Sequence, residues 1–202
     1  MIKSQLVKLI KGKVPEQAVD ILADWIIEYR IQVVITRERK TKRGSYYAPH
    51  NGRGHKITIN HNLNQYSFLI TFVHEVAHLL TWEQHKNRVA PHGKEWKRNF
   101  QELIYPMLNG GFFPNDIYDS LSEYMRNPGA SSCSNPQLIK VLENYDENNG
   151  YTYLEDLPDN SIFRLEDGRV FKKLEKLRKN YRCKEITTGR LYYVSPIAKV
   201  VV

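Results

Sequence analysis

Residues 67–82 read SFLITFVHEVAHLLTW, a run in which apolar side chains fill most of the surface of a helix. A helix that is apolar on all sides is a buried one, so we expect this segment to lie at the centre of the core. Three ionisable residues, His74, Glu75 and His78, interrupt the run. Burying such groups is costly unless a metal ion or hydrogen-bonding partners compensate them. The segment therefore predicts a buried helix that holds a polar site.

His74, Glu75 and His78 form the pattern H-E-x-x-H. Residues four apart lie about 40° apart around a helix axis and roughly 6 Å apart along it, so both imidazoles project from one face. They can share a tetrahedral Zn²⁺ at about 2.0–2.1 Å. Glu75 is turned about 100° from His74, and its carboxylate can act as general base towards a metal-activated water. The alternative is an ordinary core helix whose histidines have hydrogen-bonding partners.

His92 is the third candidate ligand, and it follows a polar segment, residues 83–91, that ends in proline. Such a composition is typical of a loop, whose length allows His92 to return to the metal. Three histidines leave the fourth position of a tetrahedral Zn²⁺ to water, as a catalytic site requires. If His92 instead only caps the helix predicted from Gly93 to Tyr105, two ligands remain and the hypothesis weakens.

The H-E-x-x-H motif at 74–78, followed by H-G-x-x-W at 92–96, resembles the SprT-like family of zinc metalloproteases, which includes the DNA–protein crosslink protease Spartan. Residues 44–46 and the strand predicted at 57–60 also resemble the region that precedes the metal helix in that family. The similarity covers about residues 15–108. The metzincin pattern fits less well, because His85 misses its third ligand position by one residue.

The resemblance implies that Zn²⁺ is the cofactor, bound by His74, His78 and His92, with Glu75 as the catalytic base. It also implies a protein substrate and, as a narrower expectation, one attached to or crosslinked on DNA. His85 is then expected to be a surface residue or a hydrogen-bonding partner of a ligand.

The sequence predicts an α+β fold: a zincin-like domain with a small antiparallel sheet and the HExxH helix, followed by a helical linker and a small β-module. A helix is expected at 15–30, and strands at 31–36, 46–49 and 56–60. The basic run 37–44 ends in glycine and is expected to form a hairpin turn. It is either a solvated loop or a contact with a phosphate backbone.

Charge divides the chain into three blocks: residues 1–110 carry a net +8, residues 111–159 a net −7, and residues 160–202 a net +7. The overall charge of +8 favours polyanionic partners, nucleic acid first. We predict a SprT-like zinc metalloprotease domain at 1–110, an acidic helical connector at 111–160 and a basic, β-rich C-terminal module at 161–202. The basic blocks are DNA-binding surfaces, or the acidic block folds back over one of them.

The C-terminal module departs from the zinc ribbon that ends many SprT-like proteins. It has one cysteine, Cys183, and none of the seven histidines lies beyond residue 92, so a four-ligand zinc site cannot form there. Its positive charge and aromatic residues suit single-stranded DNA, through phosphate contacts and stacking. The alternative is a packing module in which these aromatic residues form the core. They are Phe171, Tyr181, Tyr192 and Tyr193.

Two further features concern the cellular setting. The only cysteines are Cys133 and Cys183, and the N-terminal segment lacks the apolar run of an export signal, which together indicate a reduced, cytoplasmic setting. No apolar run approaches the length of about 20 residues that spans a bilayer, so no membrane partner is expected. The sequence does not indicate an oligomeric state.

These observations predict a zinc-dependent peptidase. Its transition state needs an oxyanion donor besides zinc, and the conceivable residues are Tyr46, Tyr47, Arg53 and His85. Two other functions stay open: a nucleic-acid-associated binding factor with a structural or catalytically silent zinc site, and a zinc hydrolase of small amides or esters. Glu75 argues against the first, because a structural site needs no base beside its ligands.

Overall fold

The computed structural model describes residues 3–39, 41–129, 135–147 and 150–202; Lys40 and Cys133 lie outside these ranges. The chain divides into two compact units, Met1–Asp146 and Glu147–Val202. This boundary differs from the sequence-based divisions at 110 and 160. Residues after 110 join the first unit because their apolar side chains enter its core. They include Ile117, Leu121, Leu138 and Leu142.

The first unit contains six described α-helices: α1 Lys3–Ile10, α2 Glu16–Glu28, α3 Gln65–His85, α4 Lys94–Asn109, α5 Asn115–Met125 and α6 Pro136–Glu143. The predicted helices at 15–30, around the H-E-x-x-H motif and from Gly93 to Tyr105 are present as α2, α3 and α4, and the range of the predicted helical connector contains α5 and α6. Helix α1, which buries Leu6 and Ile10, was not predicted from the sequence. No helix in the described part of the chain is both long and apolar enough to cross a membrane.

A three-stranded sheet lies beside the helices, formed by β1 Gln32–Thr36, β2 Gly44–Tyr47 and β3 Lys56–Asn60. Its order is β1-β3-β2, with β1 parallel and β2 antiparallel to β3. The prediction of an antiparallel sheet is therefore wrong, because this small sheet has one parallel and one antiparallel pair of strands. The physical reason is that β3, which carries the fully buried Ile57 and Ile59, takes the central position.

Because β3 separates β1 from β2, the connection between these two strands is a crossover and not the predicted hairpin turn; the described residues of its basic run are 37–39 and 41–43. Side chains of β3 hold this crossover. The Arg39 guanidinium donates to Asn60 Oδ1 at 2.8 Å and to Thr58 Oγ1 at 3.0 Å, and Asn60 Nδ2 donates to the Lys42 carbonyl at 3.1 Å. Arg39 is thus committed to the fold.

Asn64 is the N-cap of the long helix α3, a position that asparagine favours. Its side-chain oxygen accepts hydrogen bonds from the backbone N–H groups of Tyr66 and Ser67, at 3.1 and 2.9 Å, which satisfies two free donors of the first turn. Its Nδ2 donates to the Leu142 carbonyl at 2.8 Å and to Asp146 Oδ1 at 2.6 Å. The same residue therefore caps α3 and binds the end of the first unit to it.

The second unit is a six-stranded antiparallel sheet of order β4-β9-β5-β6-β7-β8. The strands are β4 Thr152–Tyr153, β5 Ile162–Leu165, β6 Val170–Lys176, β7 Tyr181–Glu185, β8 Leu191–Val194 and β9 Lys199–Val201. Residues 161–202, which the sequence predicts to be a small β-module, contain strands β5 to β9. Lys173 is only 2% exposed, because its Nζ donates to the Leu157 carbonyl at 2.6 Å.

Candidate metal centre

The helix α3 and the segment before α4 bring three imidazoles together. His74 Nε2 and His78 Nε2 lie 3.2 Å apart on one face of α3. His92, two residues before α4, places its ring centroid 4.5 Å from that of His78 and 5.5 Å from that of His74. One donor atom from each residue lies within 4.8 Å of the other two. This spacing suits three nitrogen ligands of one ion.

The bonding state of the imidazoles also fits a metal. Within the described residues, His74 Nδ1 and His92 Nε2 are buried side-chain nitrogens without a hydrogen-bonding partner. An unpaired buried nitrogen costs about 1–3 kcal/mol, and a metal ion on the cluster would compensate this cost at His92 Nε2. Imidazole ligands suit zinc, copper, iron and nickel, and a tetrahedral site with an open position is typical of zinc.

Burial keeps the three histidines in their metal-binding form. Desolvation, with the neighbouring His92 as a smaller cause, lowers the pKa of His78 to about 4. Desolvation also lowers the pKa of His74 well below its ordinary value, and that of His92 to a smaller degree. Neutral imidazole is the form that binds a metal. The cluster is therefore prepared for a cation near neutral pH.

Trp96 of α4 forms the wall behind the cluster. Its indole is fully buried, and its centroid lies 4.7, 5.3 and 4.8 Å from those of His74, His78 and His92. Its Nε1–H faces the His74 carbonyl at 3.4 Å. One side chain from α4 thus orients two ligands of α3 and the ligand that precedes α4.

A buried polar network joins the two helices beyond Trp96. Thr81 Oγ1 donates to the Ala77 carbonyl at 2.7 Å, and Asn99 Nδ2 donates to Thr81 Oγ1 at 2.9 Å and to Gln84 Oε1 at 3.0 Å. This network was not predicted from the sequence. Its available signal was Asn99, which occupies a position on the apolar face of α4 beside Phe100. Such a position requires hydrogen-bonding partners.

Glu75 is 6% exposed and lies against strand β2. Its carboxylate accepts a hydrogen bond from the backbone N–H of Tyr46. Burial raises the pKa of Glu75 to about 8, while the Tyr46 N–H and the positive charges of Arg39 and Lys42 act in the opposite direction. A carboxylate with a raised pKa exchanges protons near neutral pH, as a general base must.

The close contact between Glu75 and β2 depends on Gly44. A Cβ atom at this position would lie 2.7 Å from Glu75 Oε1 and 2.6 Å from Thr71 Cγ2, closer than real Cβ contacts. Glycine is therefore required by the approach of the strand to the helix, which the sequence analysis did not foresee.

These groups line one open cleft of about 360 Å³. The lining residues are Gly44, Ser45, Tyr46, His74, Glu75, His78, Pro91 and His92. All four predicted site residues thus share one cavity.

The structure separates the four conceivable oxyanion donors. Tyr46 lines the cleft. Tyr47, the next residue along β2, is 47% exposed, and Lys56 Nζ lies over the Tyr47 ring, 5.6 Å from the ring centroid. His85 lines a different depression, together with Lys94, and Arg53 lies in the exposed turn before β3. Of these four residues, Tyr46 alone lines the cleft that contains the three histidines.

Fold and site together define an α+β domain with a three-histidine site, able to hold a metal, on one helix and the loop that follows it. The profile of the SprT-like family matches residues 17–112. Residues 17–112 are therefore SprT-like, and the SprT-like family is metal-dependent.

Curated relatives agree with this assignment. The chain is similar to Protein SprT of Klebsiella pneumoniae (strain 342), with 42% identity over 80 residues, which is 38% of this chain and 45% of the relative. It is also similar to Protein SprT of Erwinia tasmaniensis, with 63% identity over 42 residues, covering 20% of this chain and 24% of the relative. These matches span less than half of the relatives' length. No solved structure matches the chain significantly.

Proposed function

We propose that this protein is a zinc-dependent peptidase with a zincin-like catalytic domain. The observation that carries the proposal is the shared cleft in which three convergent imidazoles stand beside a buried glutamate. His74, His78 and His92 would hold the zinc ion. When bound, zinc would supply Lewis acidity, lowering the pKa of water and polarising a carbonyl group.

The protein's own proton carrier in this scheme is Glu75. Its carboxylate takes a proton from the attacking water as the new C–O bond forms at the peptide carbonyl. It then delivers this proton to the amide nitrogen as the C–N bond breaks, so the leaving group departs as a neutral amine. The raised pKa supports the first of these steps, because burial makes the Glu75 carboxylate a stronger base.

The shape of the cleft favours a protein chain over a small amide or ester. Sites for small molecules usually enclose most of the ligand in a concave pocket. Here strand β2 supplies three consecutive lining residues, Gly44, Ser45 and Tyr46, along an open cleft. An extended chain can lie along a strand in this way.

A binding factor with a catalytically silent zinc site fits less well. A structural site would normally supply four protein ligands, whereas the described residues supply three. Nor would it need the buried Glu75 at the edge of the same cleft.

We also propose that the second unit binds single-stranded DNA through its cationic face, defined by Lys172, Lys184 and Tyr193. Lys172 and Lys184 are directly opposite each other on β6 and β7. Like charges in this position repel, and a polyanion would relieve the repulsion. Tyr193 is 66% exposed and can stack on a base. Through this face the peptidase could reach proteins attached to DNA.

The other predicted stacking residues contribute less to such a face. Phe171 is fully buried and Tyr181 nearly so, while the ring of Tyr192 packs edge-on against Phe171, with centroids 5.4 Å apart. These side chains form the core of the sheet. The proposed binding of DNA therefore depends on phosphate contacts and on Tyr193.

The fully buried free thiol of Cys183 supports a reducing compartment, which we propose to be the cytoplasm.

The experiment for the peptidase proposal is a gel assay with an unfolded basic protein as substrate. Zinc-loaded wild type and its Glu75→Gln variant are incubated with it, with and without single-stranded DNA. We expect cleavage by the wild type alone, because glutamine cannot accept the proton of the attacking water. If the substrate stays intact in every lane while zinc is confirmed in the protein, the peptidase proposal fails. The binding factor with a catalytically silent zinc site would then be favoured.

A further inference from the structure

A chain of two hydrogen bonds leads from the cleft to the protein surface. The Tyr46 hydroxyl lies 2.9 Å from His55 Nδ1, and His55 Nε2 lies 3.0 Å from Glu83 Oε1. The three residues come from different elements: strand β2, the segment before β3 and the end of α3. None of them belongs to the H-E-x-x-H motif.

Aromatic packing fixes this chain in place. The Tyr46 and His55 rings are stacked with their centroids 5.9 Å apart, and His55 meets Trp82 edge-on at 5.5 Å. The charged group beyond the chain is Lys86, whose Nζ lies 3.5 Å from Glu83 Oε2 and 3.8 Å from the centroid of Trp82. His55 therefore has little freedom to leave Tyr46.

The position of Tyr46 relates the chain to the reacting groups. Its backbone N–H donates to Glu75, and Tyr46 is one of the residues that line the same cleft as the three histidines. Burial, with the Glu83 carboxylate as a smaller cause, raises the pKa of Tyr46 above its ordinary value. The phenol therefore stays protonated at neutral pH and keeps a proton to donate.

We propose that the Tyr46 hydroxyl donates a hydrogen bond to the oxyanion formed during peptide hydrolysis, with His55 and Glu83 as positioning residues. This inference rests on the proposed peptidase function. It goes beyond the zinc ligands and the general base, because it assigns a group that would stabilise the oxyanion besides zinc, and the residues that orient this group.

The proton count along the chain is consistent with this role. The Glu83 carboxylate only accepts, so His55 Nε2 carries a proton towards it. In a neutral ring, His55 Nδ1 then accepts from Tyr46. As negative charge forms on the substrate oxygen, that oxygen becomes the stronger acceptor, and the Tyr46 hydroxyl turns its proton from His55 Nδ1 towards it.

The test compares Tyr46→Phe with Tyr47→Phe, the same substitution one residue along β2 and outside the cleft lining. We expect Tyr46→Phe to lower kcat about 100-fold with KM within about twofold and zinc content unchanged, as for the loss of one oxyanion donor. Tyr47→Phe should keep the wild-type kcat. Binding of a phosphinic peptide, whose tetrahedral oxyanion resembles the transition state, should weaken by a similar factor in Tyr46→Phe.

The positioning role of Glu83 and His55 is tested by a double-mutant cycle. Glu83→Gln and His55→Leu should each lower kcat about 10-fold in the wild-type background and change it little in the Tyr46→Phe background. A merely structural role would give the same loss in both backgrounds. Glu83 is partly exposed, so its variant is expected to fold even if His55→Leu does not.

The outcomes separate this inference from the function on which it rests. If the wild type cleaves and Tyr46→Phe keeps its kcat, the assignment of Tyr46 is overturned while the peptidase stands. A loss of kcat that follows loss of zinc would also overturn it, because Tyr46 would then only maintain the metal site. If the zinc-loaded wild type cleaves nothing, both proposals fall.

Discussion

The backbone N–H of Tyr46 donates a hydrogen bond to the carboxylate of Glu75, which joins strand β2 to the metal helix. Glu75 is thereby held by an element that is remote from the motif in sequence. Because the donor is a backbone group, its position depends on the path of β2 and tolerates exchange of the Tyr46 side chain. The geometry of the base is therefore a property of the sheet as well as of the helix.

Gly44→Ala tests this coupling. The added methyl group would meet Glu75 Oε1 and Thr71 Cγ2 at 2.7 and 2.6 Å, so β2 or Glu75 must move. We expect a loss of about 1–3 kcal/mol in the free energy of unfolding, measured in urea, together with reduced turnover. Gly54→Ala is the matched control, since its methyl group would meet only the Arg30 carbonyl, at 3.6 Å. Equal stability of the two variants would contradict the tight contact.

His92→Ala tests the third ligand. With two imidazoles left, the affinity for zinc should fall steeply, so protein dialysed against zinc-free buffer should retain much less than one ion per chain. The control is His61→Ala, an exposed histidine outside the cleft. Zinc content measured by mass spectrometry decides the matter; full occupancy in His92→Ala would remove this residue from the ligand set.

Trp96→Phe tests the wall behind the ligands. The variant loses the indole N–H that faces the His74 carbonyl and part of the packing against all three rings. Groups that orient ligands typically contribute about 10–100-fold to metal affinity, and we expect a loss in that range by competition with a zinc chelator. Trp25→Phe, on α2, serves as the control. If both variants bind zinc equally, Trp96 is only a core residue.

The stability of the metal-free protein should depend on pH. Burial lowers the pKa of His78 to about 4, so between about pH 6.5 and 4 the unfolded chain binds a proton at this histidine that the folded protein does not. Stability therefore falls as pH falls through this window, by about 2 kcal/mol between pH 7 and 5 from His78. Urea unfolding in EDTA measures it. The loss should be smaller in His78→Asn, and an identical loss would contradict the assignment.

DNA binding by the cationic face is tested with Lys172→Gln combined with Lys184→Gln. If each lysine contacts a phosphate of a single strand, the slope of log K against log salt should flatten by about 1.4, and affinity should fall. The double variant Lys8→Gln and Lys13→Gln changes the same net charge on the first unit. The same slope in wild type and in the Lys172/Lys184 variant would leave the second unit as a packing module.

The sequence predicted the part of the site that local geometry determines. His74 and His78 share a face because they are four residues apart on one helix, and Asn64 was recognisable as the cap of α3 from its own chemistry. The chain also contains the loop needed to return His92, and the structure brings that residue to the other two.

Residues joined by tertiary packing were not predictable in this way. The central place of β3 results from long-range strand pairing, which turned an expected hairpin into a crossover. The need for glycine at 44, the hydrogen bond from Tyr46 to Glu75 and the contact of His55 with Glu83 each depend on that sheet order. Periodicity and spacing carry no information about such contacts.

The most direct test of the peptidase is hydrolysis in ¹⁸O-labelled water. Zinc-loaded wild type and Glu75→Gln are incubated with an unfolded basic protein, and the fragments are analysed by mass spectrometry. A water-attack mechanism with Glu75 as base predicts fragments whose new C-terminal carboxyl group carries one ¹⁸O, formed by the wild type and absent with the variant. Intact substrate with the zinc-loaded wild type, or equal cleavage by Glu75→Gln, would contradict it.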